Sequence, residues 1–170
     1  MTRMRARLAR PVQVLKVPEP DPDLGEVLEF MRLLWAVGHG LQKTSKHMAR
    51  HIGLTGPQRL GLRLVGRFPG ISAGELAGLL RLHPSTLTGV LLRLERQGLI
   101  ERRPDADDRR RTHFHLTVKG QRANQQPATG TVEHAVKAVL ARLGERRVAI
   151  AGQVLQALAE QLLDHSRQGA

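Results

Sequence analysis

The chain has no cysteine and no tyrosine, and only one tryptophan and three phenylalanines in 170 residues. Without thiols there is no disulfide, no thiolate metal site, no cysteine nucleophile and no thiol redox switch, which suits a reducing cytosol. With so few aromatics the core has to come from Leu, Val and Ala, a set that favours helices. Acids are also scarce: 15 against 27 basic residues leave a formal charge of +12. That surplus points to polyanions, nucleic acid first and anionic membrane second, although free use of arginine throughout the chain accounts for part of it. No run approaches the ~18 apolar residues of a membrane span. Arg3, Arg5, Arg7 and Arg10 have no apolar block behind them, so no signal peptide is expected, and the expected location is cytoplasmic.

Catalytic signatures are missing as well. There is no phosphate-binding glycine loop, no metalloprotease helix pair and no nucleophile elbow, so neither an enzyme nor a cofactor is expected. His47 and His51 are one helical turn apart, and His113 and His115 share a strand face. A closed zinc site needs about four ligands, and neither pair has an acid nearby in sequence, so no metal is expected.

What is present reads mainly as helix. Residues 1–22 form a flexible basic, proline-rich arm in which Pro18, Pro20 and Pro22 block a helix; a disordered tail, a DNA-contacting arm and a strap across a partner all remain open. From Asp23, the expected N-cap, Leu24, Val27, Leu28, Met31, Leu34, Trp35 and Leu41 form one helical stripe ending near Gly53. Thr55 and Gln58 have capping-box spacing, with Pro57 in the first turn and Leu60, Leu64 and Val65 as the expected buried face. Ser72 and Glu75 open a short helix with Leu76, Leu79 and Leu80 expected inside. Pro84 starts the next helix, and Gly98 closes it in a left-handed conformation. Leu99 to Arg103 and Thr112 to Leu116 read as two strands around a polar loop, a β-hairpin. Thr117 caps a further helix, a kink or break is expected near Pro127, and a last helix follows Gly144.

Two helices joined by a short turn and followed at once by a hairpin give the order of a winged helix-turn-helix. Such a unit needs a second helix with an apolar face anchored and a polar face free for the major groove. Residues 84–97 divide that way. Leu87, Val90, Leu91 and Leu94 point inward, while Pro84, Ser85, Thr86, Thr88, Gly89 and Arg93 supply the DNA-facing set, with Arg96 on the same outer side. Ser and Thr bond phosphates and base edges, Gly89 removes bulk, and Arg93 reaches a guanine edge or a phosphate. The loop from Pro104 to Arg111 joins acids to Arg109, Arg110 and Arg111. A guanidinium at such a tip fits the narrow minor groove, with Asp108 available to orient it.

These blocks resemble the MarR family of multiple-antibiotic-resistance regulators. The resemblance rests on Leu54-Thr55-Gly56-Pro57-Gln58, Pro84-Ser85-Thr86-Leu87-Thr88 and Leu94-Glu95-Arg96-Gln97-Gly98-Leu99-Ile100. It continues through Arg103-Pro104-Asp105-Ala106-Asp107-Asp108-Arg109-Arg110 and Leu116-Thr117-Val118-Lys119-Gly120. It implies a mainly α fold with a small β-hairpin wing: a winged helix-turn-helix domain over 54–118, an N-terminal dimerisation helix over 23–53 and C-terminal dimerisation helices over 119–170. It further implies a homodimer that regulates transcription, as a repressor, from a palindromic site on double-stranded DNA, with no membrane partner. Arg110 would take the minor-groove role with Asp108 as its brace. Many members lose DNA affinity on binding a small phenolic or other anionic effector; Trp35, His39 and Arg63 would line such a pocket. Two departures stand out: His83 occupies a cap position where Ser or Asp is usual, and Gly89 stands where a larger contact residue is common. A non-specific architectural DNA-binding protein, and an interaction module that has lost DNA binding, are the alternative readings.

The wing assignment carries a test. Arg110→Ala is expected to weaken DNA binding by about 1–3 kcal/mol, the range for one good groove contact, measured by titration of the folded variant. Unchanged affinity would contradict the wing role.

Overall fold

The computed structural model describes residues 25–105, 112–127 and 129–168. The arm over 1–22, the Asp23 cap, and Asp108, Arg109, Arg110 and Arg111 of the wing lie outside the described residues. The chain runs through α1 (Gly25–His51), α2 (Gly56–Arg67), β1 (Ile71–Ser72), α3 (Ala73–Leu80), α4 (Pro84–Arg96), β2 (Ile100–Pro104), β3 (Thr112–Leu116), α5 (Val118–Gln125), α6 (Val132–Leu140) and α7 (Glu145–Gln168). A division between two compact units falls within α1, between Val37 and Gly38, and the whole winged core belongs to the second unit.

Local chemistry sets the element boundaries. Thr55 caps α2 in a complete capping box: its side chain accepts from Gln58 N–H, and the Gln58 side chain accepts from Thr55 N–H at 2.8 Å. Ser72 and Glu75 do the same for α3. Thr117 caps α5 and Thr131 caps α6. Pro127 and Gly130 fall between those last two helices, where the sequence predicts a kink or a break; the structure has a break.

The core is one aliphatic cluster with a single aromatic, Phe114. Leu62 and Val65 of α2, Leu76 of α3, and Leu87, Val90, Leu91 and Leu94 of α4 meet Ile71, Leu99, Ile100 and Phe114 of the sheet region. The sheet is antiparallel in the order β1-β3-β2. β2 and β3 pair from Ile100 with Leu116 to Pro104 with Thr112, forming the hairpin. β1, which the sequence pattern does not reveal, pairs Ile71 with Phe114 and ties the start of α3 to the wing.

Two buried faces differ from expectation. Leu60 is 52% exposed, while Leu62 is fully buried. On α2 it is Gly61 that faces α4, with Val90 and Leu94 at ordinary contact distance, 3.5 and 3.6 Å, from where a Cβ would lie, and Leu60 points outward. Leu79 is 54% exposed, because α3 buries Leu76 and half-buries Ala77 and Leu80 instead.

Gly120 of α5 lies directly against the backbone of Leu99. A Cβ on it would sit 1.8 Å from the Leu99 carbonyl oxygen, and that oxygen already accepts from Thr117 N–H. Gly120→Ala is therefore expected to destabilise the fold by about 3 kcal/mol, the upper end of overpacking costs, as a lower denaturation midpoint. An unchanged midpoint would contradict the packing described for α5.

Candidate nucleic-acid interface

Helix α4 is anchored on one side only. Leu87, Val90, Leu91 and Leu94 are buried, while Pro84, Ser85, Thr86, Thr88, Arg93 and Arg96 are exposed and Gly89 is half-buried. Nothing lies within 4 Å of where a Gly89 Cβ would be, so its outer side is open. The helix starts on His83, whose Nδ1 accepts from Ser85 N–H and lies 2.8 Å from Ser85 Oγ. The unusual cap is thus a working one: an imidazole with its proton on Nε2 supplies the acceptor that Ser or Asp would otherwise give. Thr88 donates its hydroxyl to Pro84 O at 2.8 Å, which leaves its oxygen lone pairs as acceptors on the outer face.

Acids decide which cations stay free. Glu95 of α4 holds Arg102 of β2 in a two-pronged pair at 2.6 and 2.8 Å, and the guanidinium lies 5.5 Å from the Phe114 ring centroid. That pair fixes the hairpin against α4. Glu101 takes Arg103 on the same strand face. Among the described residues, Arg93 and Arg96 have no acidic partner. At the far end of α4, Lys119 Nζ donates to Gln97 O at 2.7 Å and Thr117 Oγ1 to Gly98 O at 2.6 Å, so the α5 start satisfies carbonyls that α4 leaves open.

The base of the wing has its own fastening. His113 Nε2 lies 2.7 Å from Asp105 Oδ2, and its Nδ1 lies 2.6 Å from the Gly70 carbonyl, so one ring joins β3, the loop mouth and the turn before β1. Both partners favour the imidazolium, which needs two donors.

The residues predicted for an effector pocket have different surroundings. Trp35 is 67% exposed and His39 is exposed on α1. Arg63 is engaged: its Nε meets Glu133 at 3.0 Å and its Nη1 meets the Asn124 carbonyl and side chain. Hollows of about 380 Å³, beside His115 and Asn124, and 340 Å³, beside Gln97 and Lys119, are lined by neither His39 nor Arg63. Among the described residues no three His, Asp or Glu side chains cluster to hold a metal. His47 and His51 are within reach of each other, with ring centroids 4.1 Å apart.

Sequence reasoning missed Arg59 and Glu133. Arg59 is 3% exposed and faces Glu133, whose carboxyl is held below its usual range: burial pushes it up, but hydrogen bonds from Lys137 and Arg63 outweigh that. The spacing of Arg59 and Arg63, one turn apart on α2, was the only available signal.

The His113 contacts set a pH dependence. The Asp105 hydrogen bond, then the Gly70 carbonyl, raise its pKa above the ordinary 6.5. A histidine raised by folding contributes stability that is fully present below its unfolded value and lost as pH rises through the folded one. Proton NMR titration should place the His113 midpoint above 6.5. His113→Gln should remove the matching loss of stability on the alkaline side. A midpoint at or below the ordinary value would contradict the pairing.

Comparison with known proteins agrees with this geometry. The model of the MarR family matches residues 54–112. The HTH-type transcriptional repressor Rv2887 of Mycobacterium tuberculosis is 34% identical over 111 residues, covering 65% of this chain and 79% of that protein. A crystal structure of a MepR-like protein complexed with pseudoligands superposes with a TM-score of 0.66 at 26% identity, over 80% of this chain and 95% of that one. The S. aureus MepR–DNA complex has the same fold, with a TM-score of 0.64 at 21% identity over 78% and 97% of the two chains. The winged helix-turn-helix built on α2 to β3 and the likeness to these regulators place the chain in the MarR family of transcription regulators.

Proposed function

We propose that the protein is a sequence-specific regulator of transcription that binds double-stranded DNA as a homodimer on a palindromic operator, and that it acts as a repressor. The observation that carries this reading is the two-sided α4. Its leucine face is locked in the core, and Ser85, Thr86, Thr88 and Arg93 stand on an open face with Gly89 unobstructed between them. Such a helix enters the major groove with its N-terminal residues at the base edges. The hairpin is held to α4 by Glu95 and Arg102, and in this reading Arg109, Arg110 and Arg111 serve the neighbouring minor groove, with Asp108 as the brace of Arg110. The relative Rv2887 is named a repressor, and the MepR crystals contain DNA.

Homodimerisation is supported by apolar side chains that a lone chain leaves in water. Val27, Leu28, Met31 and Trp35 on α1, Val136 and Val139 on α6, and Ile150, Leu155 and Leu162 on α7 are all exposed. Helices over 23–53 and 119–170 would bury them against a second copy. Release by a small phenolic or other anionic effector remains part of the reading, with Trp35, His39 and Arg63 as its contacts. Arg63 already binds a carboxylate, the chemistry such a ligand would offer. No helix among the described residues is long and apolar enough to cross a membrane.

The +12 charge also suits an architectural protein that coats DNA without sequence preference. Competition separates the two. A regulator should prefer the upstream region of its own gene by ~10³ or more over bulk DNA, with affinity falling steeply as salt rises. Arg93→Ala should reduce that preference by about 1–3 kcal/mol. Equal affinity for all sequences would overturn sequence-specific regulation in favour of coating.

A further inference from the structure

Three cations converge on one carboxylate where the winged unit meets the C-terminal helices. Glu133, in the first turn of α6, faces Arg63 Nε at 3.0 Å, Lys137 Nζ at 3.1 Å and Arg59 Nη2 at 3.4 Å. The three cations are not equivalent. Lys137 is 69% exposed and solvated whether or not Glu133 is there. Arg59 is buried, its Nε has no hydrogen-bond partner, and its Nη2 donates to the Gln126 carbonyl at 3.1 Å. A guanidinium does not shed its proton to escape burial. Its place in the fold therefore depends on the carboxylate opposite it.

The location of the cluster gives it leverage. Arg59 and Arg63 belong to α2, the helix against which α4 is seated at Gly61. Glu133 belongs to α6, and its position is fixed by the buried Thr131, which caps the helix by accepting from His134 N–H. No element among the described residues shares an extended packing face with α6. Nearby, Gly56 N–H donates to Ser45 Oγ at 2.8 Å, which ties the start of α2 to α1. Among the described residues, the other ion pair from the winged unit to the C-terminal helices, Arg81 to Glu160 on α7, is exposed at both ends and so contributes little.

We propose that Glu133 is a positioning residue: by fastening α2 to α6 it sets the angle at which α4 and the wing are carried on the C-terminal helices, and controls binding to a two-half-site DNA without touching it. Two reading heads that must meet half-sites one helical turn apart tolerate little angular play. Only this last step rests on the DNA-binding reading.

The absence of cysteine makes the angle measurable. Gly74 on α3 and Ala135 on α6 are exposed, so Gly74→Cys and Ala135→Cys provide a single pair of spin-label sites. Labelled chains diluted into unlabelled ones report the intrachain distance by pulsed dipolar spectroscopy. Glu133→Gln is expected to broaden that distance distribution while helical content is retained. Glu133→Asp, which keeps the charge and shortens the reach, should shift its mean and stay narrow. Lys137→Gln should leave it as in the parent. Identical distributions for Glu133→Gln, Glu133→Asp and the parent would overturn the positioning role.

The functional half uses a duplex selected by the unsubstituted protein from a random-sequence pool. Glu133→Gln should lower the ratio of selected to random affinity roughly tenfold, within the usual span of coupling between distant sites, with affinity for random duplex unchanged. An unchanged ratio would overturn control of DNA binding by Glu133. If the unsubstituted protein selects no sequence, the DNA-binding reading fails, and the distance measurement still decides whether Glu133 sets the angle.

Discussion

Everything on the outer face of the winged unit depends on how α4 is seated in the core. Four aliphatic side chains, Leu87, Val90, Leu91 and Leu94, lie on one stripe and are buried against α2 and the sheet. Gly61 of α2 lies opposite Val90 and Leu94 at this contact. Once that stripe is fixed, the direction of every other α4 side chain follows from helical geometry. Ser85, Thr86, Thr88 and Arg93 face outward because their neighbours face inward. The site is therefore a consequence of packing, and a change in the core rotates the polar face with it.

The scarce acids shape the site by pairing. Glu95 and Glu101 hold Arg102 and Arg103 at the root of the wing, and Glu133 and Glu160 hold Arg63 and Arg81 at the edge of the winged unit. These exposed or half-exposed pairs add little stability one by one. Their effect is selective, because they engage cations that support the frame and leave Arg93 and Arg96 on α4 without an acidic partner among the described residues. A chain with so large a positive surplus gains specificity by fixing where the remaining charges point.

Features that depend on near neighbours were readable in the sequence. The capping boxes at Thr55 and Ser72, proline at the start of α4, the left-handed Gly98 and the inward stripe of α4 each involve residues a few positions apart. Features set by distant partners were not. β1 is two residues long and exists because Phe114 offers its backbone. The roll of α2 that exposes Leu60 is decided by α4, some 30 residues on. Arg59 reads as a surface arginine until Glu133, far along the chain, is placed beside it. His83 carried a partial signal: its position marked a cap, but its pairing with Ser85 came only from the structure.

The most direct test of the account is amide chemical-shift mapping of the protein with and without a double-stranded DNA it selects. The account predicts that the largest changes fall on Ser85, Thr86, Thr88 and Arg93 and on the loop over 105–111. The buried stripe of α4 and the shared faces of α2 should keep their shifts. Changes centred elsewhere, with the outer face of α4 unperturbed, would contradict it.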